Sequence, residues 1–319
     1  MDIRTIRLVL ALAEHRHFAR AAEANSISQS AFSARLQSLE FELGVRLVER
    51  GARFERFTET GERLLPRLRD IVGQIDALRQ ETGGDAAALA GHLRIAVIPT
   101  QLAVAGAMAA DVRALHPLVH VTIQSRSSKA IDAALDQYEA DVGISYSDGQ
   151  RPDRFFATRL ASECYALVVS RNDRSPSING TITWAEAARL PLALLTPDMQ
   201  NRRILDDAFA SAGVAPSVMI ESDTFTAILG AVRTGVVATI LPAVQADQLA
   251  AGADITVLRL VSPTLERGIA LYALKRDPQL PVISAVFAAI QAIRSGIPIK
   301  RSRLTIGRGE HRCASCQHV

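Results

Sequence analysis

The chain has 319 residues, 48% hydrophobic and 22% charged, enough for two or three domains with buried cores and ordinary for a globular protein. Every apolar run is broken by Arg, Asp, Glu or Gln before it reaches membrane-spanning length, and three cysteines are too few for a disulfide framework, so the expectation is a cytoplasmic protein with no membrane partner. The net charge of +3 is misleading: from Arg294 onward there are six Lys/Arg and one Glu, which leaves residues 1–293 at −2, so bulk charge does not argue for a nucleic-acid partner.

Residues 3–14 read as an amphipathic helix, with Ile6, Val9, Leu10 and Ala13 at helical spacing. No small-residue cleavage site follows it, so it is not read as a signal segment. A short helix from Phe18 to about Ala24 carries the small pair Ala21-Ala22, Asn25-Ser26 makes a turn, and Ser28 stands as N-cap to a helix from Gln29 to Glu42. Phe32, Leu36, Leu39 and Leu43 mark its apolar side. Two helices joined so tightly outline a helix-turn-helix, whose second helix enters the DNA major groove. The candidate DNA contacts at its start are Ser28, Gln29, Ser30, Ser33 and Arg35, able to reach phosphates or base edges. Val45 to Arg50 and Phe54 to Thr58 are short β-prone pieces around Gly51, the pattern of a wing, on or beside which lie Arg50, Arg53 and Arg56. The alternative for these arginines is a solvated loop. From Thr58 a long helix follows, with Leu64, Leu68, Ile71, Ile75 and Leu78 spaced four, three, four, three. That is a heptad seam and predicts pairing with a second copy. Packing on its own domain is the alternative. Pro66 is expected to kink or restart the helix, and Gly83-Gly84 to Gly91 to form a hinge.

The order Ala21-Ala22, Ser28-Gln29, Ser33, Leu39-Glu40, Leu43-Gly44, Arg50 and Thr58-Glu59-Thr60-Gly61 resembles the N-terminal domain of LysR-type transcriptional regulators. Asn25, Ala34 and Val48 depart from that pattern, standing where the family usually has Leu, a basic residue and Phe. The resemblance implies a double-stranded DNA partner at a promoter dyad, a small-molecule effector, and self-association to a dimer or a tetramer built as a dimer of dimers.

From His92 the pattern changes to strand–helix alternation: LRIAVI (93–98), a helix from Gln101 to about His116, VHVTIQ (119–124), a helix at 128–138 and DVGISY (141–146). A second set runs through CYALVVS (164–170), a helix near 184–188, LALL (192–195), helices at 200–212 and 224–234, VVATIL (236–241) and a helix at 242–250. RGIALYALK (267–275) and a helix at 281–295 complete the first set. Such alternation implies parallel strands covered by helices. The fold class expected is α/β, with an N-terminal winged helix-turn-helix, a long linker helix and a C-terminal two-lobed periplasmic-binding-protein-like domain. The domains fall at 1–58, 59–90 and 91–297, with lobe I about 91–161 and 266–297, lobe II about 162–265, and a basic, disordered tail at 298–319.

Ligands of open α/β sheets sit beyond the carboxyl ends of the strands, here between the lobes. Pro99-Thr100-Gln101, Ser125 to Lys129 and Thr196 to Asn201 each place hydroxyls and free amides where a strand gives way to a helix, a setting suited to anions. The resemblance implies that Thr100, Gln101, Ser127, Thr196 and Thr224 line the effector cleft; simple helix capping is the alternative for each. A small carboxylate or oxyanion is the expected effector, to which Arg126 and Lys129 could add charge. GISYSDG (143–149) is similar to LysR-type members associated with formate oxidation.

An enzyme reading lacks a nucleophile elbow, a zincin motif, a glycine-rich phosphate loop and zinc-spaced Cys/His ligands. His116 and His120 have no third ligand, Cys164 opens a strand as a small buried hydrophobe, and Cys313 and Cys316 lie in the tail; no metal site or cofactor is expected. A solute-binding protein would account for residues 92–295 but leaves residues 1–80 without a purpose.

Overall fold

Three clusters of buried side chains organise the described residues, one helical and two built on sheet. The computed structural model describes residues 1–50, 54–81, 89–147, 153–171, 180–250, 255–276 and 279–294. Arg53, the Gly83-Gly84 hinge and the tail with Cys313 and Cys316 lie outside them, as does the side chain of Arg50. Among the described residues no helix is long and apolar enough to cross a membrane.

The first helix, α1 (Ile3–His15), starts at Asp2, whose carboxylate accepts from the Thr5 N–H at 2.8 Å, and ends where Arg16 takes a left-handed conformation. It buries Ile6, Leu8, Val9 and Leu12, whereas Leu10 and Ala13 are only partly covered, so the inward stripe is turned from the expected one. α2 (Phe18–Ala24) buries Ala21 and Ala22, where any larger side chain would hold the neighbouring helices apart. Ser28 caps α3 (Gln29–Leu43) by accepting from Ala31 N–H at 3.2 Å, and Gly44 closes it at φ 67°, a conformation that favours glycine. Phe32, Leu36 and Leu39 enter the core. Leu43 does not: it is 36% exposed, because the core ends at Glu40, whose carboxylate accepts from the Leu47 and Val48 N–H groups at 2.9 and 3.2 Å and turns the chain back.

β1 (Val48–Arg50) and β2 (Phe54–Phe57) pair antiparallel as a small wing, Val48 opposite Phe57 and Glu49 opposite Arg56. α4 (Glu59–Glu81) then runs unbroken through Pro66, contrary to the expected restart. Leu65 and Leu68, on either side of the proline, are both buried in the helical core. Thr58 accepts from Gly61 N–H at 2.9 Å and donates to the Arg46 carbonyl at 2.7 Å, so one hydroxyl starts the helix and fixes it to the wing.

The larger part begins with β3 (Ala90–Val97), a 3-10 turn at Pro99–Gln101, α5 (Leu102–Leu115), β4 (Leu118–Ser125), α6 (Ser128–Asp136) and β5 (Val142–Tyr146). β6 (Phe155–Ser170), β7 (Thr181–Thr183), α7 (Trp184–Ala187), β8 (Pro191–Leu195), α8 (Gln200–Ser211), β9 (Ser217–Ser222), α9 (Phe225–Arg233), β10 (Thr239–Pro242) and α10 (Ala243–Ala250) follow. β11 (Ile255–Val261), β12 (Glu266–Leu274) and α11 (Pro281–Arg294) complete it. β4, β3 and β5 are parallel, as are β8 and β9, but β12 runs antiparallel to β5 and β6, and β10 and β11 antiparallel to β6. The sheet is therefore mixed rather than parallel throughout. Strands β7, β9 and β11 are not among the strands expected from sequence, and β7 has only three residues.

One strand joins the two halves. β6 pairs with β12 over Phe155–Cys164 and with β10 and β11 over Tyr165–Ser170. Cys164 is thus in the middle of a sixteen-residue strand, buried, and does not open it. The first half packs Leu93, Ile95 and Val142 against Ile131 and Leu135; the second sets Ala166, Val168 and Leu195 against Ile228 and Val232. Burial of these apolar side chains is the main stabilising term in each half.

Candidate functional site

The first candidate surface is the start of α3. Gln29, Ser33 and Gln37 recur every fourth residue and share one edge, with Ser30 one step round; Gln29, Ser30 and Gln37 are exposed and Ser33 half-buried. Gln37 is not among the residues expected from sequence, and extending the same spacing finds it. Ser28 Oγ is engaged in capping and lies 3.0 Å from Ser30 Oγ. Arg35 stands about 200° from Ser33 around the helix, at about 100° per residue, and its charge acts on Asp2 at the start of α1. The Asp2 carboxyl is held below the usual range mainly by Thr5, with Arg35 a minor contributor. On the wing, Arg56 donates to Glu49 through Nε at 2.6 Å and Nη2 at 3.1 Å, so its exposed guanidinium already has a partner.

The second candidate is a narrow crevice between the two halves of the α/β region. Thr100, Ser127, Ser128, Tyr146, Gln200 and Asn201 line it. The elements explain the convergence: Thr100 follows β3, Ser127 caps α6 by accepting from Ala130 N–H at 3.4 Å, and Gln200 and Asn201 begin α8. The N-termini of α6 and α8 both border the opening, and helix N-termini present free N–H groups and positive potential. Ser128 Oγ is buried without a hydrogen-bond partner among the described residues, and the buried Thr100 hydroxyl lies against the Glu163 carboxyl and the Tyr146 hydroxyl. Gln101 is buried and turned inward to Glu163, while Thr196 and Thr224 lie outside the lining. Of the expected residues the crevice gathers Thr100 and Ser127, with Gln101 beneath; Ser128, Gln200 and Asn201 fall within the expected segments Ser125 to Lys129 and Thr196 to Asn201, and Tyr146 is added by the fold. Arg126, next to Ser127, is tied to Glu139 at 3.0 Å, and Lys129 is exposed.

Beneath the crevice runs a polar network. Asn201 Nδ2 donates to the Tyr146 hydroxyl at 3.3 Å, Tyr272 donates to the Tyr146 carbonyl at 3.1 Å, and Gln245 on α10 donates to the Thr100 carbonyl. Asn201 and Gln245 therefore tie one half to the other at the crevice. Burial pushes the Tyr146 and Tyr165 hydroxyls above their usual titration range, so both stay protonated donors. Among the described residues no group of three or more His, Cys, Asp or Glu could hold a metal ion. His120 on β4 meets His92 edge-to-face at 4.7 Å, and His116 is the C-cap of α5, so the two histidines belong to different elements.

Comparison with known proteins adds the following. The profile of the bacterial regulatory helix-turn-helix proteins of the lysR family matches residues 3–62, and that of the LysR substrate binding domain matches residues 86–294. An uncharacterized HTH-type transcriptional regulator, YfeR of Shigella flexneri, is 26% identical over 306 residues, 93% of this chain and 98% of that one. A full-length OxyR variant from Pseudomonas aeruginosa has a similar fold, with a TM-score of 0.72 at 22% identity, covering 92% of this chain and 98% of that one. Full-length CbnR complexed with its target DNA gives a TM-score of 0.65 at 23% identity, covering 91% and 99%.

Proposed function

Because the chain belongs to the LysR family of DNA-binding transcriptional regulators, with an effector-binding domain rather than an enzyme's active site, we propose that a small anion bound in the interlobe crevice sets its activity. The observation that carries this is the meeting of two helix N-termini, of α6 and α8, with the unpartnered hydroxyl of Ser128 and the buried hydroxyl of Thr100 around one small space. A carboxylate or oxyanion of a few heavy atoms suits that chemistry. Thr100, Gln101 and Ser127 serve the effector, with Thr196 and Thr224 at the outer ends of β8 and α9. Residues 1–58 form the DNA-binding unit, 59–90 the linker, and 91–297 the two lobes.

On the DNA side, Gln29, Ser30 and Ser33 read the major groove, while Arg35, Arg50, Arg53 and Arg56 supply backbone contacts. Self-association through α4 places two such units on a dyad site, and two dimers give a tetramer. The protein works on chromosomal DNA in the bacterial cytoplasm. Effector binding changes lobe closure and so the arrangement of the DNA-binding units.

A mobility-shift titration at near-physiological salt tests this, using DNA upstream of the protein's own gene against a scrambled duplex. A preference of about a thousandfold or more is expected for specific binding, lost on replacing Gln29 and Ser33 with Ala while fold and oligomer remain. Retention of the preference by that double variant would remove α3 as the reading element. Formate, acetate and sulfate are then added; no change in affinity or footprint with any of them would count against the anion reading.

A further inference from the structure

Glu163 is 4% exposed and stands on β6 where pairing passes from β12 to β10 and β11. Neutral donors meet both of its oxygens. Gln101 Nε2 donates to Oε1 at 2.5 Å, and the Tyr165 hydroxyl to Oε2 at 3.2 Å. Thr100 and Tyr146, which line the crevice, lie against the same carboxyl. Glu163 is therefore separated from a crevice ligand by one layer of hydroxyls.

The charged and titratable groups around it do not compensate it. Arg267 of β12 stands opposite Glu163 in the strand register but is partly exposed, and the adjacent Glu266 is exposed and bears the wrong charge. Tyr146 on β5 and Tyr165 on β6 are neutral donors. On α8, Arg202 is committed to Asp206 and Glu221. Among the described residues no cation forms an ion pair with Glu163. An ionised carboxylate here would oppose an anion in the crevice, where water screens little.

We propose that Glu163 makes anion binding proton-linked: the crevice holds an anion when Glu163 is the neutral acid and rejects it when Glu163 is ionised. Above the titration of this group each anion enters with one proton, taken from solvent and left on the Glu163 carboxyl. The inference rests on the anion reading of the crevice. It agrees with burial, which raises the carboxyl above its ordinary range while Gln101, Thr100 and the tyrosines partly offset the rise. A purely structural role in the network would be filled by glutamine, which does not titrate: like the neutral acid it keeps one acceptor oxygen for Gln101 and turns a donor toward the Tyr165 hydroxyl, which can accept.

The test is calorimetric titration of the full-length protein and of Glu163→Gln with formate, acetate and sulfate, from about pH 5 to about pH 9, a window that spans the titration of buried carboxyls. Repeating it in two buffers of different ionisation enthalpy counts the protons. For the native protein, affinity should fall by up to about tenfold per pH unit once Glu163 ionises, with proton uptake on binding; Glu163→Gln should bind with level affinity and no uptake assignable to this site. Parallel loss of affinity in both proteins would overturn the role of Glu163 and leave the anion reading standing. Absence of binding by any probe to either protein would overturn the anion reading and the linkage with it. Should Glu163→Gln not fold, Tyr165→Phe provides the second measure. It removes a donor that favours the ionised form, so the fall in affinity should move to higher pH; an unmoved profile would sink the proposal.

Discussion

Asp70 on α4 forms an ion pair with Arg276 Nη1 at 2.8 Å, and the same guanidinium lies over the ring of Tyr138 at 4.6 Å. The pair is close without the alignment of a hydrogen bond, so its attraction is that of two charges. The neighbouring Arg69 donates to the Gln137 carbonyl at 3.1 Å and reaches Glu139 at 3.5 Å. Glu139 in turn holds Arg126, the residue before the α6 cap Ser127. A continuous set of contacts thus runs from the rim of the crevice to the helix that carries the DNA-binding unit. Its members are mostly half-buried, so they are screened less than surface pairs.

Arg276→Ala should therefore cost more than a surface charge change, because it strips Asp70 of its partner and Tyr138 of its covering cation. A loss of about 1–3 kcal/mol is expected, measured by chemical denaturation of the full-length protein. A midpoint equal to that of the native chain would show that α4 and the α/β region touch here without holding one another.

Gly61 and Gly73 lie on the same helix and should respond oppositely to alanine. A Cβ on Gly61 would stand 2.1 Å from the Leu47 carbonyl oxygen, whereas one on Gly73 would meet nothing nearer than 3.7 Å. Gly61→Ala must push α4 off the wing, at about 1–3 kcal/mol or more, and weaken DNA binding as the wing shifts. Gly73→Ala should stabilise by about 0.4–1 kcal/mol, the usual gain in a helix interior with room for a methyl group. Thermal melts of the two variants side by side decide this, and equal effects would refute the assignment of Gly61 to close backbone approach.

These glycines also show what the sequence can tell. The Thr-Glu-x-Gly motif is legible as a pattern, and its physical cause is the Thr58 cap together with the Gly61 approach. Leu39-Glu40 has a similar cause, since Glu40 accepts two buried backbone N–H groups. Helical periods place α1 to α4 closely because each helix carries its own apolar stripe. The inward face of α1 is misjudged from sequence because Leu8 and Leu10 are chemically alike, and only the positions of α2 and α4 separate them. Thr100 and Ser127 are legible as hydroxyls at strand ends. Glu163 and Tyr146 are not, since nothing local marks a residue that becomes important only when two distant segments meet.

The heptad reading of α4 divides into two parts. Leu68 is 5% exposed and packs with Leu64, Leu65 and Ile71 in the helical core, while Ile75 is half-buried and Leu78 is 58% exposed. A charge at Leu68 would unfold the DNA-binding unit and say nothing of assembly. Leu78→Glu combined with Ile75→Glu should instead yield smaller species on light scattering while α-helix content by circular dichroism is kept. An unchanged assembly would assign oligomerisation to surfaces other than α4.

Glu163 also predicts the shape of the pH–stability curve without any ligand. Its carboxyl is raised in the folded chain chiefly by burial, so the unfolded chain releases its proton first as pH rises. Between the ordinary carboxyl value and the raised folded one, the unfolded state binds fewer protons than the native state, and stability falls with pH. Below the ordinary value the acid is neutral in both states and exerts no such drag; above the folded value the drag is constant. Glu163→Gln lacks this group, so the difference in stability should move in its favour through that window, with a slope of at most about 1.4 kcal/mol per pH unit for a single proton. Denaturation midpoints for both proteins across the acid-to-neutral range measure it. A difference independent of pH would mean that Glu163 titrates alike in folded and unfolded chains, which a carboxyl buried among neutral donors should not do.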